Sequence, residues 1–373
     1  MQPTSKDNNT ILLFIKVPPP VTGPTLINKR VLDSSLLRDT FNVRSIEISY
    51  MQNLEDMGKW KLLKLCIFIT KLCKLSIELT LHRLRFVYFQ LSPNGFAFVR
   101  DLVFVTLIKL FRVRIVFHIH GKGIINKSKY AKIFYKYCFK NEYLICLTSL
   151  LTYDVKDVFY GRIFIVPNGI TAANTEKRGK TNNEIPNILY LSNLILSKGI
   201  MDFVSALGIL NHKGLEFNGI IVGAELDISS DALQLALKNK GLDEKVRYFG
   251  PRFDNEKQEI LFNSDIFVFP TKEDCFPLVI QEAMQFGLPV VSTYEAAIPE
   301  IVDDGVTGFL VEKDAPEQVA EKIEYLINDP ELRQKMGEAG SRKYEAKYTI
   351  KHFEENMKKV FQEVLDDISN QRN

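Results

Sequence analysis

The stretch that decides the fold is SDIFVFPTKEDCFPLVIQEAMQFG, residues 264–287. An apolar strand pattern is followed by a polar loop and then by the apolar spacing of a helix. Pro277 is predicted at the first helical position, where its missing N–H is not needed. The free N–H groups from Leu278 onward would favour an anion, and Glu282 would lie one turn further along the same face. This arrangement suits a nucleoside diphosphate, with phosphate at the helix start and the ribose diol on the carboxylate.

Strands and helices alternate through both halves of the chain, which indicates an α/β protein of two doubly wound domains with parallel sheets. Ligands of such folds bind beyond the carboxyl ends of the strands, so we expect a ligand in a cleft between the domains. The strands predicted for the first half are Ile11–Lys16, Arg44–Ile48, Arg85–Phe89, Ile115–His118, Tyr143–Leu147 and Ile163–Val166. Those predicted for the second half are Asn187–Leu191, Asn218–Val222, Val246–Phe249, Ile266–Phe269 and Pro289–Ser292.

Charge is distributed unevenly along the chain. Residues 1–180 contain 28 Lys and Arg against 12 Asp and Glu, whereas residues 181–373 contain 20 against 33. The two halves are therefore expected to have different partners, and the basic half suits phosphate-bearing substrates or an anionic membrane surface. Zinc-finger spacing, arginine-rich tracts and RNA-binding signatures are absent, so nucleic acid is not an expected partner.

Cysteine usage and hydropathy predict a cytoplasmic protein. The five cysteines are scattered and form no CxxC pair, which is typical of a reducing compartment. The first nine residues lack a signal-peptide pattern, and no apolar run reaches the roughly 20 residues of a spanning helix. No group of acidic residues and histidines has the spacing of metal ligands, so no required metal is expected.

The segment KWKLLKLCIFITKLCKL, residues 59–75, is both basic and very apolar. Lysines at positions 61, 64, 71 and 74 share roughly one helical face, while leucines and Phe68 form a wide apolar one. Two interpretations remain open. The segment is either an interfacial helix on anionic lipid or a crossover helix packed against its own sheet, with lysines reaching the surface.

Two loops of the first half are candidate binding loops. In VPPPVTGPT, residues 17–25, Gly23 allows close backbone approach and Pro24 suits the first helical position, so a small anion site is predicted. Further on, His118 and His120 would point to one face of a strand, with His120 at its end. Two interpretations remain open for His120: it contacts the donor-sugar hydroxyls or the reacting centre, or it is a hydrogen-bonded histidine of a turn.

In the second half, Lys198 follows the strand 187–191 and a short loop that contains Asn193. At a helix start, its point charge would strengthen the field that attracts a diphosphate. The alternative is an ordinary surface lysine.

Taken together, these motifs resemble family 4 of the glycosyltransferases, the group 1 type, which are retaining enzymes of the GT-B fold. The resemblance covers nearly the whole chain and rests on the order and spacing of the motifs. Its parts are Pro18–Gly23, His120–Gly121, Val166–Gly169, Ser197–Gly199, Asp274–Val291, Ile298–Glu300 and Asp304–Phe309.

The resemblance implies transfer of a hexosyl group from a nucleotide sugar with retention, across two Rossmann-like domains. Residues 1–168 would bind the acceptor, residues 169–347 the nucleotide sugar, and residues 348–373 would form a helix crossing back to the first domain. Roles are implied for individual residues as well. Lys198 would bind the diphosphate, and Glu282 would bind the ribose hydroxyls. The amides on either side of Pro277, those of Phe276 and Leu278, would bind the diphosphate and the sugar. His120 and the Gly23 loop would come from the first domain.

Two positions depart from the family pattern. The first of its two acids is a glutamate eight residues before Glu282, where this chain has Asp274 with Glu273 just before it. Either carboxylate is a candidate for orienting the donor sugar. The family often has an arginine five residues before the lysine, where this chain has Asn193, so Lys198 and helix-start amides are left to offset the diphosphate charge.

The sequence therefore predicts a cytoplasmic, metal-independent glycosyltransferase that builds surface polysaccharide at the inner face of the plasma membrane. The donor is expected to be UDP-linked and the acceptor a glycan or polyprenyl-linked molecule. No cofactor is expected, because the nucleotide sugar is a substrate. The alternatives are a sugar-nucleotide epimerase or hydrolase of the same fold, and a non-catalytic nucleotide-sugar binder.

Overall fold

The computed structural model describes residues 9–48, 61–173 and 184–371. The chain divides into two compact units, of which the first contains residues 1–169 and 351–373 and the second residues 170–350. The predicted divisions lie after residues 168 and 347. Each unit is built on a parallel sheet with helices between its strands, which confirms the predicted doubly wound α/β class.

The sheet of the first unit has six strands among the described residues. They are β1 Thr10–Lys16, β2 Asn42–Ile48, β3 Phe86–Leu91, β4 Arg114–Ile119, β5 Tyr143–Cys146 and β6 Ile163–Ile165. Their order is β2-β1-β3-β4-β5-β6, and each neighbouring pair is parallel. The order changes direction between β1 and β3, and we call such a place a strand-order reversal.

The helices of the first unit cover both sides of this sheet. They are α1 Gly23–Asp33, α2 Ser35–Thr40, α3 Lys61–Leu81, α4 Gly95–Leu110 and α5 Lys129–Phe139, followed by a 3₁₀ helix at Leu150–Val155. Helices α3, α4 and α5 are neighbours in one layer. Phe68 of α3 meets Phe104 of α4 at 5.1 Å between ring centroids, and Phe98 of α4 stacks on Tyr135 of α5 at 4.0 Å.

Helix α3 contains most of the basic apolar segment predicted from the sequence. Leu75 and Leu79 are buried in the core of the first unit, and Phe68 and Leu72 pack against it, as a crossover helix requires. Lys59 lies outside the described residues, as do the side chains at positions 61 and 64. Among the described residues, no helix is both long and apolar enough to cross a membrane.

The sheet of the second unit also has six strands among the described residues. They are β7 Asn187–Leu191, β8 Asn218–Val222, β9 Val246–Tyr248, β10 Ile266–Phe269, β11 Val290–Thr293 and β12 Gly308–Val311, in the order β12-β11-β10-β7-β8-β9. A 3₁₀ helix, Leu196–Lys198, precedes the helices. These are α6 Ile200–His212, α7 Ser230–Lys238, α8 Asp254–Phe262, α9 Leu278–Gln285, α10 Ile298–Ile301, α11 Pro316–Asn328 and α12 Pro330–Lys347.

Strand β12 is the element that the sequence prediction missed. The strands predicted for the second half end with Pro289–Ser292, and the stretch Asp304–Phe309 entered only as a motif of the family resemblance. This stretch contains a turn, with Gly305 at φ 74°, and a four-residue strand follows it directly and pairs with β11. Its shortness and its initial glycine hide the strand pattern. The other predicted strands are present, with ends shifted by up to two residues.

Helix α13, Ile350–Asn370, completes the first unit. Its buried residue Phe361 meets three aromatic rings at edge-to-face angles, namely those of Phe41, Phe86 and Tyr88, at 5.9, 5.2 and 5.6 Å between centroids. Such pairs add to the stabilisation from apolar burial. The helix therefore supplies part of the core on which the first sheet rests.

Candidate active site

The second unit has its strand-order reversal between β7 and β10. Strands β8 and β9 follow β7 on one side, and β11 and β12 follow β10 on the other. Open α/β sheets bind ligands at such reversals, beyond the carboxyl ends of the strands. The loops that leave these two ends carry Lys198 and Asp274. Two opposite charges thus lie where the fold predicts a ligand.

Lys198 and Asp274 form an ion pair. Lys198 Nζ lies 2.8 Å from Asp274 Oδ2 and also donates a hydrogen bond to the Glu273 carbonyl oxygen at 2.7 Å. The two side chains are 23% and 21% exposed, so a solute can reach both. The pair is accessible enough to exchange partners when an anion binds.

The position of Lys198 corrects one prediction. It ends the 3₁₀ helix and does not begin α6, because Gly199 takes the left-handed conformation with φ 79° and becomes the N-cap. A Cβ at Gly199 would lie 2.0 Å from the Pro270 carbonyl oxygen. Only glycine allows this approach, which brings Lys198 beside the loop after β10.

Asp274 organises its own loop. Its Oδ1 accepts a hydrogen bond from the Phe276 N–H at 3.1 Å, as aspartate does two residues before a turn amide. Its own N–H donates to Glu295 Oε1 at 3.4 Å. The Phe276 amide, predicted to face the diphosphate, therefore already has an acceptor within the loop.

The start of α9 lies one residue later than predicted. Pro277 is the N-cap, because its extended backbone, φ −70° and ψ 112°, is not helical, and the helix begins at Leu278. The Leu278 N–H at the first helical position has no acceptor within the helix, as at every α-helix start. The helix start therefore still offers an anion a donor, supplied by Leu278 and not by the Phe276 amide.

Glu282 lies one turn into α9 and has one occupied and one vacant oxygen. Oε1 accepts a hydrogen bond from Lys257 Nζ of α8 at 2.8 Å. Oε2 is buried and has no hydrogen-bond partner in the described part of the chain. A buried carboxylate oxygen costs free energy unless it is paired, so this position favours a ligand hydroxyl. Lys257 was not found from the sequence, because it is 25 residues away on another helix.

A second buried carboxylate, also missed, supports the Asp274 loop. Glu295 is 2% exposed, accepts the Asp274 N–H and pairs with Lys313 through Oε2. It follows β11, whose carboxyl end adjoins that of β10. The sequence signal that could have indicated Glu295 is its position as a polar residue shortly after a strand.

Two predicted site residues have other contacts in the structure. Glu273 is exposed, and its backbone N–H donates to Thr271 Oγ1 at 3.3 Å. Asn193 Oδ1 accepts the Ala224 N–H at 3.1 Å, which joins the loops after β7 and β8. Asn193 thus has a structural contact at the position where the family often has an arginine.

In the first unit, His120 follows β4 and lies beside His118. Their ring centroids are 4.0 Å apart, which confirms that they share one face. His118 Nδ1 is 2.6 Å from the Tyr88 hydroxyl. Nε2 of each histidine is buried without a hydrogen-bond partner among the described residues. Burial and the nearby Lys16 ammonium lower the pKa of His120 to about 3, and burial and His120 lower the pKa of His118 well below its usual value. Both rings are therefore neutral at pH 7.

Lys16 is a further charged residue that the sequence prediction missed. It ends β1, at the strand-order reversal of the first unit, and its Nζ lies 3.2 Å from Asp101 Oδ2. Asp101 is fully buried and also accepts the Ser92 N–H at 2.8 Å. Burial lowers the pKa of Lys16, while Asp101 opposes that change.

The loop with Gly23 begins α1. Gly23 is the first helical residue and Pro24 the second, one position later than predicted. Thr22 caps the helix, and it exchanges hydrogen bonds with Thr25 through both side chains. This capping uses one of the N–H groups that the predicted anion site would have offered.

The structure thus brings together, within the second unit, most of the predicted donor-binding residues. Lys198, Asp274 and the start of α9 surround the strand-order reversal, with Glu282 one turn further on. His120 and Gly23 belong to the first unit.

Comparison with known proteins identifies the group. Residues 173–343 match the family of glycosyl transferases group 1. The match lies within the second unit and includes Lys198, Asp274 and Glu282. The match covers 171 of the 373 residues, so the likeness to the group 1 glycosyl transferases is a property of the second unit. The recognition made from the motifs is thereby confirmed at the level of the group.

Two similar proteins match different lengths of this chain. An uncharacterized glycosyltransferase of Methanocaldococcus jannaschii is 24% identical over 280 residues, covering 74% of this chain and 76% of the relative. A capsular polysaccharide biosynthesis glycosyltransferase of Staphylococcus aureus is 28% identical over 193 residues, covering 52% of this chain and 50% of the relative. The match thus spans about half the length of the second relative.

Solved structures share the fold of this chain. A glycosyltransferase from Rickettsia africae has a TM-score of 0.73 at 17% identity, over 96% of this chain and 98% of that one. Sucrose-phosphate synthase from Thermosynechococcus elongatus has a TM-score of 0.72 at 15% identity, over 96% and 100%. At such identities the likeness concerns the fold, which is the predicted GT-B fold.

Proposed function

We propose that this group 1 glycosyl transferase moves a sugar from a nucleotide-sugar donor to an acceptor hydroxyl. The observation that carries the proposal is the accessible Lys198–Asp274 pair at a strand-order reversal, beside the start of α9. A cation, helix-start amides and a carboxylate with a vacant oxygen are what a sugar attached to a nucleoside diphosphate requires.

Each group has a distinct task in donor binding. The diphosphate takes the Lys198 ammonium from Asp274 and accepts a hydrogen bond from the Leu278 amide. Asp274, released, accepts hydrogen bonds from hydroxyls of the donor sugar. Glu282 Oε2, which is buried and has no hydrogen-bond partner among the described residues, receives a ribose hydroxyl. Glu273 is the alternative acid for the sugar, and its exposed side chain is less constrained.

The main chemical demand is the negative charge that develops on the departing diphosphate. Lys198 and the Leu278 amide are aimed at that charge before the reaction begins, which is the preorganised stabilisation that lowers barriers most. We propose retention at the anomeric carbon, as in family 4. The acceptor hydroxyl approaches the face that the diphosphate leaves, and a phosphate oxygen takes its proton. No protein nucleophile is assigned.

We also propose that the reaction is metal-independent. Lys198 and helix-start amides carry the positive charge that a metal ion supplies in many phosphate sites. Activity is expected to persist in excess EDTA and to be unchanged when Mg²⁺ or Mn²⁺ is added back. Loss in EDTA with recovery on adding metal would contradict this part of the proposal.

The proposed donor is UDP-linked and the proposed acceptor a glycan or polyprenyl-linked molecule in surface-polysaccharide synthesis. Anabaena HepE was solved with UDP and with UDP-glucose, at 16% identity to this chain. The Staphylococcus aureus relative is named for capsular polysaccharide biosynthesis. Such an acceptor is built at the inner face of the plasma membrane, where we propose that this protein works from the cytoplasm.

A thermal-shift screen against UDP- and GDP-sugars tests the donor, since a ligand of the native state raises Tm. We expect a UDP-sugar to raise Tm in the wild type and in Lys335→Ala, an exposed control, but much less in Lys198→Ala. The ligand is then supplied with and without lipid extract as acceptor, and the products are analysed by NMR. Donor breakdown or epimerisation without an acceptor would indicate the hydrolase or epimerase, and binding without turnover the non-catalytic binder.

A further inference from the structure

Helices α3, α4 and α5 expose an unusual number of apolar side chains on their outer sides. On α3, Leu65, Ile69, Cys73, Ile77 and Leu81 are all exposed and follow one another every four residues. Side chains at that spacing lie on one face of a helix. Because Phe68, Leu72, Leu75 and Leu79 pack against the core, this stripe is a second apolar face of the same helix.

Helices α4 and α5 continue this surface. On α4, Phe96 is 94% exposed and Leu110 is 74% exposed, with Val99 and Val103 between them. On α5, Tyr130 is 82% exposed, and Ile133, Phe134 and Tyr137 accompany it. The three helices are neighbours in one layer, since Phe68 meets Phe104 and Phe98 stacks on Tyr135. We call the outer side of this layer the α3–α5 face.

The charges of the α3–α5 face have one sign. Lys74, Lys129 and Lys136 are exposed on its helices. The described residues of α3, α4 and α5 include two acids, Glu78, which is paired with Arg44, and Asp101, which is buried. Contiguous apolar surface of this extent marks a binding surface, and its positive rim selects an anionic partner.

We propose that the α3–α5 face docks on an anionic lipid bilayer, with the apolar side chains entering the headgroup region and the lysines contacting lipid phosphates. Aromatic and aliphatic side chains between lysines are the composition of interfacial segments. The choice of lipid rests in part on the proposed function, whose acceptor is lipid-linked. A second copy of this chain fits poorly, because two basic faces would repel each other.

Vesicle flotation tests the proposal on the full chain. One vesicle preparation contains phosphatidylcholine alone, and the other equal parts of phosphatidylcholine and phosphatidylglycerol. We expect the protein to float with the second at low salt and to detach as salt rises, since the attraction between charges is screened. Absence of flotation with phosphatidylglycerol would overturn the proposal.

Two sets of variants separate the apolar and the charged contributions. Phe96→Ser with Tyr130→Ser and Phe134→Ser removes apolar anchors, and Lys74→Glu with Lys129→Glu and Lys136→Glu reverses the rim. Each set is expected to weaken vesicle binding by about tenfold or more, since both burial of apolar side chains and attraction of lysines to anionic lipid hold a protein on such a surface. Two double-substitution controls of the same kinds on the second unit, Leu235→Ser with Tyr325→Ser and Lys238→Glu with Lys335→Glu, should bind as the wild type does.

Measurements of oligomeric state and of donor binding complete the test. If the wild type is a dimer, the apolar variant a monomer and neither floats, a second copy covers the face and the proposal is wrong. Equal flotation of wild type and both variant sets would also overturn it. The thermal shift with a UDP-sugar should be unchanged in these variants, which also shows that they fold. Flotation without any thermal shift would contradict the proposed donor while leaving the lipid surface standing.

Discussion

Lys198 Nζ and Asp274 Oδ2 lie 2.8 Å apart although 76 residues separate them in the chain. The contact exists because β7 and β10 are neighbours in the sheet and Gly199 allows the two loops to approach. A lysine paired with an accessible carboxylate can exchange that partner for a more highly charged anion. The proposed reaction depends on that exchange.

Lys198→Ala is expected to lower kcat/KM by about 10²–10³, the effect of losing a group that stabilises transition-state charge. Lys198→Arg should retain more activity, since the charge is kept. The measurement is initial-rate kinetics with the donor found by thermal shift. Lys213→Ala, which removes an exposed lysine paired with Glu324, is the control and should leave the rate unchanged. Equal rates in Lys198→Ala and the wild type would rule out a phosphate role.

Asp274→Asn and Glu273→Gln distinguish the two candidate acids. Asp274 is held by Lys198 and by the Phe276 N–H, whereas Glu273 is exposed. We therefore expect the Asp274 variant to lose most of its turnover and the Glu273 variant to lose little. Single-turnover rates at saturating donor report the chemical step. The reverse ranking would assign the first acid to Glu273.

Glu282→Ala is expected to raise KM for the donor while changing kcat little. The ribose keeps the same contact in the ground state and in the transition state, so its loss weakens both equally. Lys257→Ala, which frees Oε1, should raise KM less. A large fall in kcat for Glu282→Ala would show that this carboxylate acts on the reacting sugar.

Glu295→Gln is expected to lower the free energy of unfolding by about 1–3 kcal/mol, because the buried carboxylate is the partner of Lys313 and of the Asp274 N–H. Turnover should fall as well, since the Asp274 loop loses its support. Urea unfolding and kinetics measure the two effects. Glu324→Gln, which breaks the exposed pair with Lys213, is the control and should change stability by less than about 1 kcal/mol.

The buried pair His118 and His120 predicts a loss of stability in acid. Both have lowered pKa values in the folded protein, about 3 for His120. Unfolding therefore takes up protons below about pH 6.5, and the free energy of unfolding falls by roughly 1.4 kcal/mol per pH unit for each histidine as pH drops towards 4. Urea unfolding at several pH values measures the slope. His120→Gln should reduce it, and His212→Gln, an exposed control, should not. A slope unchanged by His120→Gln would contradict a buried neutral ring.

Local pattern predicted much of the fold and part of the site. Strand runs such as Ile266–Phe269 are continuous and apolar because both faces of a parallel sheet are buried, so they were found with little error. Lys198 and Glu282 stood out because they follow strand ends or helix starts. The sequence analysis missed three charged residues, Lys257, Glu295 and Lys16. Which distant loops meet depends on the order of the strands in the sheet, and the residue pattern of one segment does not reveal that order.

The sequence also did not predict the exact start of helix α9 or the hydrogen bonds of the loop before it. Pro277 suits either the N-cap or the first helical position, and only the conformation of its loop decides between them. The Phe276 amide was predicted to bind the diphosphate, but its N–H donates to the Asp274 carboxylate. The hydrogen-bond partner of a backbone N–H depends on the conformation of its loop, and the identity of one residue does not reveal that conformation.

Helix α13 gives the chain an unusual order of completion on the ribosome. Phe361 covers Phe41, Phe86 and Tyr88, yet residues 170–350 of the other unit are synthesised in between. At typical elongation rates, about 10 to 40 s pass before Phe361 emerges. The unit begun first is therefore finished last, and the rings that Phe361 covers lack that cover during the interval.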